Sequence, residues 1–455
     1  MHSKFVKRLV VCIFLLSILS SNGCMFQIAP LVKVPLAVNG YESYQVSIAV
    51  APNGKIHIAR TECPYGTYSE CQLIYTPVMG GQVDNVYRIP TSAYFSNISD
   101  PDIAVTSSGV AYFIFRDYCN NDGNFYDYWM TSADLSVIRR LDHSYVSSGP
   151  PKIAAYGNYV YAVYQVPDGS YTRLRYKQLL GGASAGKVEN QSSNHLIKPL
   201  SIAVNPSGHL YVLWGRENVS NSVYLASNYN TTGNMTVLVG GGSWSTGLNP
   251  KEMPLLVSQD GAWVYDTLIY PDYVNFSDHV YVDRWESTDF PDGVRVTVNL
   301  DPDKQWEILQ PICMQVDQDK VYLAIVASNQ DVTSPELYEY TYTFGSPINN
   351  PPIRITYNSE TEGPPECAFY DDGDDAGFVV SWRKFDWSGY STTYVWDPVH
   401  DIRTIPQVST FGNNGFGMDG NGRFIAGIAN VFTSSVLTPW VAYNAELVYL
   451  PLVRK

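Results

Sequence analysis

A four-residue phrase recurs about every 50 residues along this chain and leaves very few folds open to it. It reads Ser47-Ile48-Ala49-Val50, Asp102-Ile103-Ala104-Val105, Lys152-Ile153-Ala154-Ala155 and Ser201-Ile202-Ala203-Val204. Weaker copies stand at Pro254-Leu255-Leu256-Val257, Cys313-Met314-Gln315-Val316, Cys367-Ala368-Phe369-Tyr370 and Gly415-Phe416-Gly417-Met418. Turn signals follow most copies, as in Pro52-Asn53-Gly54, Ser107-Ser108-Gly109, Pro206-Ser207-Gly208 and Gln259-Asp260-Gly261. Asn and Gly there supply the positive φ angles of a tight hairpin. A second apolar run comes next, such as Ile56-His57-Ile58-Ala59, Ala111-Tyr112-Phe113-Ile114-Phe115 or Leu210-Tyr211-Val212-Leu213-Trp214. These runs are short, β-branched and aromatic, which suits strands. A third strand is readable at Val223-Tyr224-Leu225-Ala226 and Leu337-Tyr338-Glu339-Tyr340, and a fourth fits before the next copy. Four antiparallel strands per period of this length make one propeller blade. The expected fold is therefore an all-β propeller of about eight four-stranded blades, with seven as the alternative if one weak copy is incomplete.

The N-terminus reads as an export signal spanning residues 1–23, which leaves 25–455 as a single propeller domain. Lys4, Lys7 and Arg8 form its basic start, and Leu9 to Leu19 is an apolar run too short to span a bilayer. Cys24 follows Gly23, as in the lipobox of bacterial lipoproteins, although Ser21 stands where an aliphatic residue is usual. Lipidation of Cys24 and ordinary secretion both remain open at this point. The expected location is outside the cell or in its envelope, with membrane attachment only through such an anchor. Cys63 and Cys71 bracket a short loop that a disulfide could close, in keeping with an oxidising compartment. Cys313 and Cys367 occupy one repeat position in successive copies, and a bridge between them is conceivable if the strands approach closely enough.

Net charge is −14, and loss of the three basic signal residues would make it −17. Such a surface repels nucleic acid and anionic membranes. The 35 Tyr residues suit sheet packing, with a sugar-stacking surface as the functional alternative. No Cys/His spacing matches a metal site, so no metal or cofactor is expected. The run Asp371-Asp372-Gly373-Asp374-Asp375 reads as a solvated turn, with calcium (Ca) binding as its alternative.

Antiparallel pairing puts the start of a blade's first strand and the end of its second on one propeller face, and loops on a rigid scaffold carry function. That argument selects Arg60, Asp102, Arg116, Asp117, Arg216, Glu217 and Arg383 as candidate ligand-binding residues. Arg presents a planar fork of donors suited to carboxylate, sulfate or phosphate. The competing reading is that each Arg pairs with a nearby acid, as Arg116-Asp117 and Arg216-Glu217 suggest.

The segments Pro101–Phe115 and Pro199–Trp214 resemble the repeats of extracellular propellers of the sialidase-like or BNR-like kind. The resemblance spans about residues 40 to 450 and implies fold alone. Catalytic sialidases carry an arginine triad, a Tyr/Glu nucleophile pair and Asp-boxes, and no good Asp-box copy is present here. No catalytic residue is therefore carried over. The expected role is a non-enzymatic binding or scaffold module for an extracellular glycan or protein partner. A glycoside hydrolase or sialidase-like glycan-processing enzyme is the alternative.

Overall fold

A computed structural model describes residues 32–443, apart from short segments of which 239–253 is the longest. Residues 1–31, with the expected signal and Cys24, and residues 444–455 lie outside the described residues. The chain is a β-propeller, and one 3-10 turn, Ser287–Asp289, is the single helical element among the described residues.

Every copy of the repeated phrase lies on the innermost strand of a sheet. These strands are Tyr41–Val50, Ile98–Val105, Lys152–Tyr156, Ile197–Val204, Leu255–Val257, Cys313–Asp317, Glu366–Asp371 and Phe416–Gly420. They contact one another in chain order, and the last returns to the first. Each pairs antiparallel with the apolar run that follows it, with Ile48 opposite Ile58, Ile103 opposite Phe113 and Ile202 opposite Val212. The turns between them repeat one geometry. Gly54, Gly109, Gly208 and Gly261 all have φ between 74° and 83°. Each donates its N–H to the carbonyl three residues back, on Ala51, Thr106, Asn205 and Ser258. An L side chain strains at that φ, which is why glycine recurs there.

The blade count corrects the sequence expectation. Six discrete blades of four or five strands form, rather than eight or seven. Residues 255–354 make one nine-stranded sheet instead of separate blades. The cause is the short strand Trp306–Ile308. It pairs with Lys320–Asn329 along its length and also with Ser277–Glu286, through Trp306 opposite Asp278. Two copies of the repeat are thereby hydrogen-bonded together.

The core lies between blades rather than within them. Ala59, Leu73 and Tyr75 of one sheet pack with Ile103, Phe113 and Phe115 of the next. Trp382, Phe378 and Val380 pack likewise with Leu337, Ala324 and Val326 of the preceding sheet. Full burial of a residue such as Phe113 or Ile58 contributes about 1.5–3 kcal/mol. The ring is closed by the N-terminus. Val32 and Lys33 add an outer strand to the C-terminal sheet, opposite Val441 and Trp440. The next residue, Val34, is fully buried among Ile48, Val50, Ile56, Ile58 and Val78 of the first blade.

Both cysteine pairs are bonded. Cys63 joins Cys71 within the first blade, with Cα atoms 4.1 Å apart. Cys313 joins Cys367 across two innermost strands, with Cα atoms 5.8 Å apart.

Candidate functional site

The candidate arginines differ in register, and register decides what each can touch. Side chains alternate between the two faces of a strand. Arg60 follows Ala59, which packs on the next sheet, whereas Arg116 and Arg383 follow Phe115 and Trp382, which pack on the preceding one. Arg60 therefore leaves its blade toward the preceding sheet, whereas Arg116 and Arg383 leave theirs on the opposite face, toward the following one.

Arg60 is fully buried and fully engaged. Its Nε and Nη2 donate to Glu62 Oε1 at 3.0 and 2.7 Å, and its Nη1 to Thr76 Oγ1 at 2.6 Å. Nη2 also donates to the Pro35 carbonyl at 2.9 Å, while the Ala37 N–H reaches both oxygens of Glu62. Desolvation lowers the Arg60 pKa and Glu62 opposes that shift. The pair thus grips residues 35 and 37 of the closing segment.

Arg383 is also buried, and burial lowers its pKa to about 10 against the opposing pull of Glu366. Asp117 is fully buried and accepts the Asn97 N–H at 3.3 Å. Arg216 has its backbone opposite Ile197, but its side chain, like the whole of Glu217, lies outside the described residues. The acidic turn 372–375 also lies outside them.

Asp102 ties three neighbouring innermost strands together. It accepts Ser47 Oγ at 3.1 Å from the preceding blade and the Ile153 N–H at 2.9 Å from the following one. Its own Oδ1 also takes the Ile103 N–H at 3.1 Å. Two other polar residues each join a pair of innermost strands elsewhere in the ring. Gln315 Nε2 donates to the Cys367 carbonyl at 3.0 Å, and Asp419 accepts the Val50 N–H at 2.7 Å. Replacing Asp102 with Ala is expected to lower stability by about 2–3 kcal/mol, since hydrogen bonds to a charged acceptor are the strong ones. Urea unfolding would show a lower midpoint at unchanged slope. An unchanged midpoint would rule out this tie between strands.

Arg116 sits in different company. Its Nη2 meets Asp100 Oδ2 at 2.5 Å and its Nε donates to Ser99 Oγ at 3.1 Å. Asp100 is joined in turn to the preceding blade, for Gln45 Nε2 donates to Asp100 Oδ1 at 3.0 Å and the Asp100 N–H donates to Gln45 Oε1 at 2.7 Å. The side chains of Arg116 and Asp100 remain 18% and 17% exposed. Asp100 adopts φ 51° where the register shifts between Ser99 and Asp102, and this bulge turns its carboxylate toward Arg116. Gln45, Ser99, Asp100 and Arg116 therefore form a polar cluster that spans two blades and is open to solvent. Sequence reasoning selected only Arg116 from it. The available signal was position: Gln45 and Asp100 each precede their copy of the phrase by two residues.

Chemically the cluster offers directed donors and acceptors with little net charge. An incoming anion would have to displace Asp100 from Arg116, whereas hydroxyl groups could bond to both. Among the described residues no group of three or more His, Cys, Asp or Glu side chains could hold a metal ion. No helix among them is long and apolar enough to cross a membrane.

No protein-family model matches the chain, and no curated protein matches it. Solved structures match at the level of fold. The β-propeller domain of the Trilobed protease from Pyrococcus furiosus is 12% identical, with a TM-score of 0.44 over 78% of this chain and 95% of that one. A Hadza microbial sialidase is 10% identical, with a TM-score of 0.38 over 64% of this chain and 66% of its own. The subtype N11 neuraminidase-like protein of A/flat-faced bat/Peru/033/2010 is 10% identical, with a TM-score of 0.33 over 70% and 95%. The propeller itself is shown by the ring of antiparallel sheets.

Proposed function

We propose that this protein is an exported propeller that binds a hydroxyl-rich glycan without cleaving it, through Gln45, Ser99, Asp100 and Arg116. The supporting observation is the Arg116–Asp100 pair, 2.5 Å apart and still partly exposed at a junction between two blades. A paired charge of this kind holds its donors and acceptors in fixed directions, which suits sugar hydroxyls. The export signal of residues 1–23 and the acidic surface fit work outside the cell. Attachment through Cys24 belongs to the same proposal.

The test is a glycan array run beside a panel of chromogenic glycosides. Binding without turnover is expected, and the double variant Gln45→Ala with Arg116→Ala should weaken it at least about tenfold, the loss expected for one or two directed hydrogen bonds. Turnover of any glycoside would replace this reading with the hydrolase. Binding untouched by the double variant would move the site elsewhere.

A further inference from the structure

Two carboxylates face each other inside the contact between the nine-stranded sheet and the blade before it. Asp266 and Asp283 stand directly opposite on adjacent antiparallel strands. Such pairs bring their Cβ atoms within about 5 Å. Asp266 is 2% exposed and Asp283 is fully buried. Oδ1 of each and the buried indole Nε1 of Trp285 make no hydrogen bond of ordinary length and angle among the described residues, although the Trp285 N–H still acts on Asp266. Trp285 lies two residues past Asp283 and so on the same face, opposite Arg295 on the third strand. Arg295 donates to Asp283 Oδ2 and lies over the Trp285 ring, 4.3 Å from its centroid. This face looks onto the preceding blade. Trp285 packs on Phe290, Phe290 on Tyr211 of that blade, and the Tyr211 hydroxyl donates to the Ser287 carbonyl at 2.8 Å.

We propose that Asp266 and Asp283 share one proton in the folded protein and form a latch that alkali releases at this contact. One guanidinium faces two carboxylates, so ionisation of both would leave a buried charge unmatched, and buried charges survive only when paired. The proton resolves this by making one carboxyl a donor for its neighbour. Other titratable groups in the vicinity do not replace it. His279 and Tyr281 share the strand of Asp283, Tyr211 and Tyr229 reach the turn Ser287–Asp289 from the preceding blade, and Asp289 is exposed. Asp283 and Arg295 are the charges that act on Asp266. Burial first, and Asp283 second, push its pKa well above the ordinary carboxylate range, against the opposing pull of Arg295 and Trp285.

The sign follows by linkage. In the unfolded chain Asp266 ionises near its ordinary value of 3.8, while in the fold it keeps its proton to higher pH. Its contribution to stability is complete below the unfolded pKa and is lost as pH rises to the folded one. Each unit between the two values changes the unfolding equilibrium about tenfold. Asp266→Asn keeps the shape and the shared hydrogen bond but removes the titration. Urea unfolding of the full chain from about pH 5 to about pH 9 should show wild type losing ground to this variant, by at least about tenfold in the unfolding constant. Parallel pH profiles would overturn the proposal. If Asp266→Asn does not fold, infrared spectroscopy of the wild type and of Asp283→Asn decides the matter. The wild type must show a protonated-carboxyl band at neutral pH that Asp283→Asn reduces, and an identical band in both overturns the latch.

Discussion

Replacing Arg60 with Met is expected to cost about 3–5 kcal/mol and to free the N-terminus from the ring. The large figure follows from burial. Arg60 and Glu62 are both fully buried, and removing one partner strands the other charge where water cannot reach it. A simple buried ion pair would be rescued by Arg60→Met with Glu62→Leu, because apolar replacement of both partners is often neutral. Rescue should be incomplete here. The pair also holds the Pro35 carbonyl and the Ala37 N–H, and the double variant leaves both without partners, at about 1–3 kcal/mol each. Urea midpoints measure the stability, and limited proteolysis measures release of residues 32–37. Full recovery in the double variant would show that the pair is no clasp.

Loss of the Cys313–Cys367 bond is expected to cost about 4 kcal/mol, against about 2.5 kcal/mol for Cys63–Cys71, on the chain-entropy account. The difference comes from loop length, since the first closes 54 residues and the second only 8. The long bridge also crosses between two innermost strands, whereas the short one stays within a blade. Ser substitutions at Cys313 and Cys367 together should therefore lower the thermal midpoint more than the same change at Cys63 and Cys71. Equal effects would show that strain or residual structure in the unfolded chain outweighs loop entropy.

Much of the fold was readable because the repeated phrase reports a local cause. Alternating apolar residues followed by a glycine turn make a hairpin whatever lies elsewhere, and each phrase did become an innermost strand. The blade count was not readable. It depends on Trp306 pairing with Asp278 across an irregular segment that carries no copy of the phrase. The candidate site was less legible still. Strand ends pointed to Arg60 and Arg116 alike, but Arg60 reaches Pro35, 25 residues back, and the partners of Arg116 stand at a bulge. One residue of register separates a clasp from a solvent-facing cluster. The Asp266–Asp283 pair was hidden for a similar reason, since neither acid lies at the end of a strand.

The strand that shuts the ring belongs to the start of the chain, and its partner to the finish. Val32 cannot meet Val441 until the 408 residues between them have been made. Contacts so remote in sequence form late and slowly. Until those strands meet, the blades between them have one flank uncovered. The time between the making of these two strands is then a window in which an uncovered sheet edge invites aggregation.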